Sequence, residues 1–250
     1  MERPSLGLIR VFEHDPELLA GLEPEIAQHL RRRTGARRAW VEPGPWAPSF
    51  APEEIPGHLG LLVIDGLLIR TVTLASRECS EVVGPGDLIR PWDGDDVVAS
   101  VASASAWRAL QPVTFAVLDR GFAVRVARWP TITAQLIGRA TRRCRTLVQQ
   151  ASIAYVRHAD TRVLLALWQL ADRWGKVTPA GVRVPVPLTH QLLGEITCLQ
   201  RPTVSSAVSR LTESGAISRA PEGGWLLHGD PPTQEPPAPA PASDVMSLVA

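Results

Sequence analysis

Leu188-Thr189-His190-Gln191-Leu192-Leu193-Gly194-Glu195-Ile196, then Thr197-Cys198-Leu199-Gln200, then Arg201-Pro202-Thr203-Val204-Ser205-Ser206-Ala207-Val208-Ser209-Arg210-Leu211-Thr212 is the stretch that decides how this chain is organised. Two short helical segments around a four-residue break have the pattern of a helix-turn-helix. In the second segment Val204, Ala207, Val208 and Leu211 fall at i, i+3, i+4 and i+7, a narrow apolar stripe that other elements must cover. The opposite side carries Pro202, Ser206 and Ser209, with Arg201 at the entrance. Small hydroxyl side chains let a helix approach the major groove closely while a guanidinium reaches the base edges. An ordinary amphipathic surface helix would carry the same stripe, so the flanking sequence has to decide.

Upstream, Asp160 to Trp174 sets Val163, Leu164, Leu167, Trp168, Ala171 and Trp174 on one face, with Asp160 and Gly175 as cap residues, which predicts a supporting helix. Lys176 to Val184 places β-branched residues on both sides of Pro179-Ala180-Gly181, a hairpin pattern. Downstream, Gly215 to Arg219 and Gly224 to Leu227 flank Pro221-Glu222-Gly223, a second hairpin. Helix, hairpin, two motif helices and a terminal hairpin make a winged helix-turn-helix.

With these elements in place, the chain resembles the cyclic AMP receptor and FNR (Crp/Fnr) family of bacterial transcription regulators, as a divergent member. The resemblance rests on Leu188 to Ile217: Thr189 opens the first helix, Arg201 opens the second twelve residues later, and Leu211-x-x-x-Gly215-x-Ile217 forms the exit. It implies an α+β fold: an N-terminal cyclic-nucleotide-binding-like β jelly roll over 1–129, a dimerisation helix over 130–157 and a winged helix-turn-helix over 158–229. The implied DNA-binding residues are Thr189, Arg201, Pro202, Thr203, Ser205, Ser206, Ser209, Arg210 and Arg219. The implied partners are double-stranded DNA, a second copy of the chain and RNA polymerase, with the small-molecule effector unknown.

The N-terminal half fits such a sensor in outline. Leu61 to Thr73 is two apolar runs joined at Asp65-Gly66, a dipeptide that predicts a tight hairpin. Val82-Val83 runs into Gly84-Pro85-Gly86, and Val97-Val98-Ala99 and Val113 to Leu118 supply further short strands, the pattern of a small barrel or jelly roll. Leu18 to Arg33 reads as an amphipathic helix trailed by Arg31-Arg32-Arg33 and Arg37-Arg38, and Ala36 to Gly57 as a loop or first irregular strand. The family's nucleotide binders carry a Gly-Glu pair after the equivalent of Gly86-Asp87-Leu88, and later an Arg followed by a small hydroxyl residue. Here Ile89-Arg90-Pro91-Trp92-Asp93-Gly94-Asp95-Asp96 leads into the low-complexity run Ala99 to Ala106. The three Asp residues would repel a phosphate, so cyclic AMP is not expected as the ligand. Arg90 could hold another anion, or close a strand end.

Between the halves, Pro130 to Tyr155 predicts a long helix, with Ile132, Leu136, Ala140, Arg143, Leu147 and Ala151 as the expected dimer interface. The interval between Asp119 and Asp160 has eight Arg and no acidic residue. The formal net charge of +1 therefore hides a local excess of positive charge, which suits a phosphate-rich partner.

Other function classes fit poorly. A cupin-like metalloenzyme needs His and carboxylate ligands converging in the barrel, and of His14, His29, His58, His158, His190 and His228 only His58 lies near its strands. No catalytic or metal residues and no cofactor are expected. Cys79, Cys144 and Cys198 form no Cys-x-x-Cys pair, and three cysteines cannot build a four-cysteine iron–sulfur site. Two alternatives keep the fold: a protein-interaction adaptor, and a haem or other small-ligand sensor using Cys79 and His58. With no signal peptide and no apolar run long enough to span a bilayer, a cytoplasmic protein without membrane contact is expected. The Pro/Ala-rich stretch 230–250 is expected to be a disordered tail.

Overall fold

Val113-Thr114-Phe115-Ala116-Val117-Leu118 is apolar at nearly every position, the mark of a strand covered on both faces, and it forms the middle of the larger of two N-terminal sheets. In the computed structural model, which describes residues 7–49, 56–75, 77–93, 103–221 and 223–232, the first half of the chain contains β1 (Leu8–Ile9), α1 (Val11–His14), a 3-10 turn (Pro16–Leu19), α2 (Pro24–Arg33), β2 (Ala36–Val41), β3 (Gly44–Trp46), β4 (Gly60–Asp65), β5 (Leu68–Leu74), β6 (Arg77–Val83), β7 (Leu88–Ile89), β8 (Ala104–Ala109) and β9 (Val113–Leu118). The second half follows with α3 (Arg120–Val126), α4 (Pro130–Ala154), α5 (Ala159–Trp174), β10 (Lys176–Thr178), β11 (Gly181–Val184), α6 (His190–Thr197), α7 (Arg201–Glu213), β12 (Ile217–Arg219) and β13 (Trp225–Leu227).

The N-terminal strands pair as β1-β2-β9-β4-β7 and β3-β8-β5-β6, both sheets antiparallel. Three apolar layers hold the chain together. Leu61, Val63, Phe115 and Val117 of the larger sheet meet Leu68, Val83 and Ala109 of the smaller between the two sheets. The other side of the larger sheet packs on the N-terminal segment, α3 and the start of α4 through Phe12, Leu18, Leu30, Phe122, Ile132 and Leu136. Ile69 and Val82 of the smaller sheet join a core shared with Val163, Leu167, Leu193, Val204, Leu211 and Trp225, so the C-terminal unit is apolar-packed onto β5 and β6. In that unit the two expected hairpins merge into one four-stranded sheet, β10-β11-β13-β12. The supporting helix, Ala159–Trp174, has His158 as its N-cap, so Asp160 lies in the first turn instead of capping it.

Several local expectations are corrected. Asp65-Gly66 does not close a hairpin: β4 pairs with β7 and β9, while β5 pairs with β6 and β8, so the dipeptide carries the chain from one sheet to the other. Gly66 holds φ +90°, and a Cβ there would sit 2.3 Å from the Pro112 carbonyl oxygen, so this corner admits only glycine. The single helix expected over Leu18 to Arg33 is a 3-10 turn and a separate α2, because Gly21 turns with φ +85° and Pro24 starts a new helix. Ala36 to Gly57 contains the paired strands β2 and β3, so Arg37 and Arg38 lie on a strand. Ala104 to Ala106, read as low complexity, belong to β8, which pairs with β5 and β3. The strand expected at Val97-Val98-Ala99, the acidic Asp95 and Asp96, and most of the 230–250 tail lie outside the described residues. Among the described residues no helix is long and apolar enough to cross a membrane.

Candidate nucleic-acid interface

Thr189 caps α6: its hydroxyl oxygen accepts a hydrogen bond from the Leu192 backbone N–H at 3.1 Å, leaving its own proton for an outside acceptor. α6 ends at Cys198, which takes the left-handed conformation (φ 54°) and reverses the chain. Gly194 makes that reversal possible, since a Cβ there would lie 2.7 Å from the Leu199 carbonyl oxygen. α7 then starts at Arg201, and Pro202 in its first turn forgoes an N–H that would have had no intrahelical partner. Val204, Ala207, Val208 and Leu211 are buried as their spacing requires. Arg201, Pro202, Thr203, Ser206, Ser209 and Arg210 are exposed on the other side.

Not every expected contact residue is free to reach a ligand. Ser205 Oγ lies 2.9 Å from His190 Nδ1, a bond that joins the two motif helices. Ser206 donates back to the Pro202 carbonyl at 3.2 Å, within its own helix. Arg210 forms a two-pronged pair with Asp160 of α5 (Nε–Oδ2 2.8 Å, Nη2–Oδ1 2.5 Å), and the bond holds the Asp160 carboxyl below its usual range. Arg219 of β12 stacks its guanidinium 3.8 Å from the centre of the Trp225 ring. Arg219 and Arg201 share with Thr189, His190 and Gln191 an open cleft of about 710 Å³. His190 was missing from the sequence-based set. Burial pushes its pKa below 6.5, and the charges of Arg219 and Arg201 push it the same way, so the ring is neutral and the cleft's positive charge comes from arginine.

The long helix places the expected interface residues on different faces. Ile132 and Leu136 are buried within their own chain, at 0% and 3% exposure, and Arg143 binds Glu81 of β6 (Nε–Oε2 3.1 Å). Ala140, Leu147 and Ala151 are exposed. The expected stripe advances close to four residues at a time and so walks around a helix of 3.6 residues per turn, from the inner face to the outer. Two stripes in steps of four and three separate the faces properly. Ile132, Leu136, Arg139, Arg143, Thr146, Gln150 and Ile153 face inward, and Ile137, Thr141, Cys144, Val148, Ala151 and Tyr155 lie on the exposed face.

Polar side chains that sequence reasoning did not single out connect the C-terminal unit to the smaller N-terminal sheet. Arg173 of α5 pairs with the buried Asp87 and donates to the Val82 carbonyl at 3.0 Å, while Asp87 also accepts from the Gly84 N–H at 2.8 Å. Ser80 donates to Glu195 of α6 at 3.1 Å. Gln150 Nε2 donates to both the Ser80 carbonyl (2.6 Å) and the Ile196 carbonyl (3.1 Å). For Gln150 and Arg173 the signal in the sequence is a polar side chain at a position that the helical period turns inward; Ser80 on β6 and Asp87 in the turn after it carry no such mark.

Elsewhere in the N-terminal unit, Arg90 is engaged by Asp93 and donates to the His58 carbonyl at 2.7 Å. Asp93 is therefore a neutralised partner of Arg90, which corrects its reading as part of a repelling acidic cluster. His58 packs edge-on against Trp92, whereas the sulfur of Cys79 lies 4.0 Å from the Gln150 amide nitrogen. The two side chains considered for haem thus have different neighbours. Among the described residues no three His, Cys, Asp or Glu side chains gather where they could hold a metal ion.

Residues 161–228 match the model of the Crp-like helix-turn-helix domain. Solved structures share the fold over most of their length. FixK2 from Bradyrhizobium japonicum is 17% identical, over 78% of this chain and 93% of its own, with a TM-score of 0.58. A CooA variant from Carboxydothermus hydrogenoformans is 17% identical, over 84% and 89%, with a TM-score of 0.56. A cyclic nucleotide-binding domain containing protein from Listeria monocytogenes EGD-e is 13% identical, over 76% and 87%, with a TM-score of 0.58. No curated protein sequence matches the chain.

Proposed function

We propose that this chain, which has the Crp/Fnr fold and a Crp-like helix-turn-helix domain, is a homodimeric transcription regulator that reads a two-fold-related site in double-stranded DNA. The reading is carried by the cleft in which Arg201 and Arg219 flank Thr189, His190 and Gln191, beside the exposed side of α7. Arg201, at the first turn of the recognition helix, is placed to make a bidentate contact to guanine, since Pro202 offers no acceptor to cytosine and Ser206 is too short. Thr189, Thr203 and Arg219 position phosphates, and Ser209 lines the groove side. Arg210 joins them only on release from Asp160. The second copy of the chain pairs along Ile137, Val148 and Ala151 of α4 and Tyr155 at its C-cap, which sets the two α7 helices on successive turns of the duplex. RNA polymerase is the downstream partner that a Crp-type architecture implies.

The N-terminal sheets act as a sensor of jelly-roll type that does not use cyclic AMP. Arg90, the arginine considered above for holding an anion, already serves Asp93 and the His58 carbonyl. Fluorescence anisotropy on DNA selected from random sequence tests the reading. As salt rises from about 50 to about 200 mM, affinity is expected to fall by roughly 10² to 10⁴-fold. Failure to select any sequence, with no salt-dependent binding, would favour a protein-interaction adaptor instead. Micromolar calorimetric binding of cyclic AMP coupled to tighter DNA binding would refute the ligand part.

A further inference from the structure

Cys79 and Cys198 are far apart in sequence but adjacent in the fold. Cys79 lies at the point where the edge strand β6 passes from exposed to buried residues, and Cys198 is the turning residue between α6 and α7. The backbone around them is pinned together: Gln150 bonds the carbonyls of Ser80 and Ile196, and Ser80 bonds Glu195. Both residues are exposed with free thiols, and Gln150 Nε2, which bonds the Ile196 carbonyl, also lies 4.0 Å from Cys79 Sγ. We propose that Cys79 and Cys198 are a redox-modifiable pair, which a hydroperoxide closes into an intramolecular disulfide tying the helix-turn-helix turn to the sensor sheet.

The surroundings assign the roles. The neighbouring Cys79 thiol is the largest influence on Cys198 and, with the nearby charges of Arg162 and Arg77, outweighs burial and lowers its pKa to about 6, which favours the thiolate near neutral pH. The neighbouring Cys198 sulfur, burial and the charge of Glu81 push the Cys79 pKa up and keep it protonated. Arg162 is fixed beside the turn by its bonds to the carbonyls of Val156 (2.9 Å) and Thr197 (3.4 Å).

Cys198 is therefore the attacking sulfur. Its thiolate takes the terminal oxygen of the hydroperoxide: an S–O bond forms, the O–O bond breaks, and the departing alkoxide or hydroxide picks up a proton from solvent. Cys79 then gives up its proton and attacks the sulfenic sulfur. The S–S bond forms, the S–O bond breaks, and hydroxide leaves as water with that proton. Two thiols and one hydroperoxide become one disulfide, one alcohol or water, and one further water, a two-electron oxidation that a dithiol reverses. The bonds of Ser80 to Glu195 and of Gln150 to the Ser80 and Ile196 carbonyls already hold the two segments side by side, so closing the disulfide asks for a local adjustment of the α6–α7 turn.

The test treats the full chain with equimolar hydrogen peroxide and maps its peptides without reduction. Wild type is expected to lose two of its three thiols, gain one linked pair containing Cys79 and Cys198, stay monomeric on a non-reducing gel, and revert with dithiothreitol. Cys79→Ser is expected to stop at sulfenic and sulfinic acid on Cys198, and Cys198→Ser to resist oxidation at Cys79. Wild type carrying oxidised Cys198 beside reduced Cys79, or linked only through Cys144 between chains, would overturn the proposal. A second readout rests on the DNA-binding reading above. Closing the disulfide is expected to shift the DNA dissociation constant about fivefold or more, the direction reporting whether the tied arrangement is the binding one, and Cys79→Ser should show no shift. An unchanged constant with the disulfide complete would overturn the regulatory role. Reduced protein that binds no DNA would count against the DNA reading and leave the disulfide map intact.

Discussion

Replacing Ile137 and Val148 together with Asp is expected to dissociate the dimer and leave each chain folded. Ile137 is 62% and Val148 68% exposed in the isolated chain, so roughly two-thirds of each side chain is left for a partner to cover. Fully burying such a side chain is worth about 1.5 to 3 kcal/mol, which puts each of these at about 1 to 2 kcal/mol. A two-fold dimer contains four of them, so the double substitution removes about 4 to 8 kcal/mol, or roughly three to six orders of magnitude in the dissociation constant, before any cost of burying Asp. Leu136, one residue from Ile137, is the control. It is 3% exposed and packs inside its own chain, so Leu136→Ala should lower the stability of the fold by about 2 to 5 kcal/mol without removing the partner contact. Sedimentation velocity at micromolar protein, with circular dichroism to verify folding, separates the two effects. A folded Ile137→Asp/Val148→Asp protein that still sediments as a dimer would refute the assignment of the exposed stripe.

Other expectations concern the DNA-facing surface. Arg201→Ala should cost about 1 to 3 kcal/mol of specific affinity and relax preference at one base pair per half-site, and an unchanged consensus from random-sequence selection would contradict this. Asp160→Asn should weaken the hold on Arg210 and add a phosphate contact in each subunit, steepening the plot of log affinity against log salt by about 1 to 2 units per dimer, with an unaltered slope as the refuting result. The folded pKa of His190 lies below its ordinary 6.5, so the stability it contributes is fully present above that value and is lost as pH falls through the lower folded pKa. The melting temperature should therefore decline below about pH 6.5 through this group, and by less in His190→Gln, which keeps a polar partner for Ser205; identical profiles for the two proteins would refute the assignment.

The C-terminal unit was largely legible in the sequence because its information is local. The apolar spacing of α7, the Thr189 cap and the short hairpins each act within a few residues of themselves, and each appears in the structure. The N-terminal half was harder to read because its strands pair with partners far away in the chain. Asp65-Gly66 has the composition of a hairpin turn, but whether β4 and β5 pair depends on β8 and β9, which arrive some forty residues later. Apolar content also misled in α4, where the buried face carries Arg139, Arg143, Thr146 and Gln150 and the exposed face carries Ile137 and Val148. Arg139 and Arg143 are tolerated inside because Asp15 (2.5 Å) and Glu81 meet them, and those partners lie at sequence distances no periodicity reports. Of the expected DNA-contact set, Arg201, Thr189 and Arg219 share the cleft, whereas the bonds of Ser205 and Arg210 to His190 and Asp160 could not be read from composition.

The amide of Gln150 has only two hydrogens, and the long helix uses both: one on the sensor sheet, the other on the first motif helix. Three bodies therefore meet at one planar group, and a rotation of the helix that lengthens one bond tilts the other. A displacement shared by β6 and α6 leaves both bonds intact, whereas one that draws the two apart has to give up one of them.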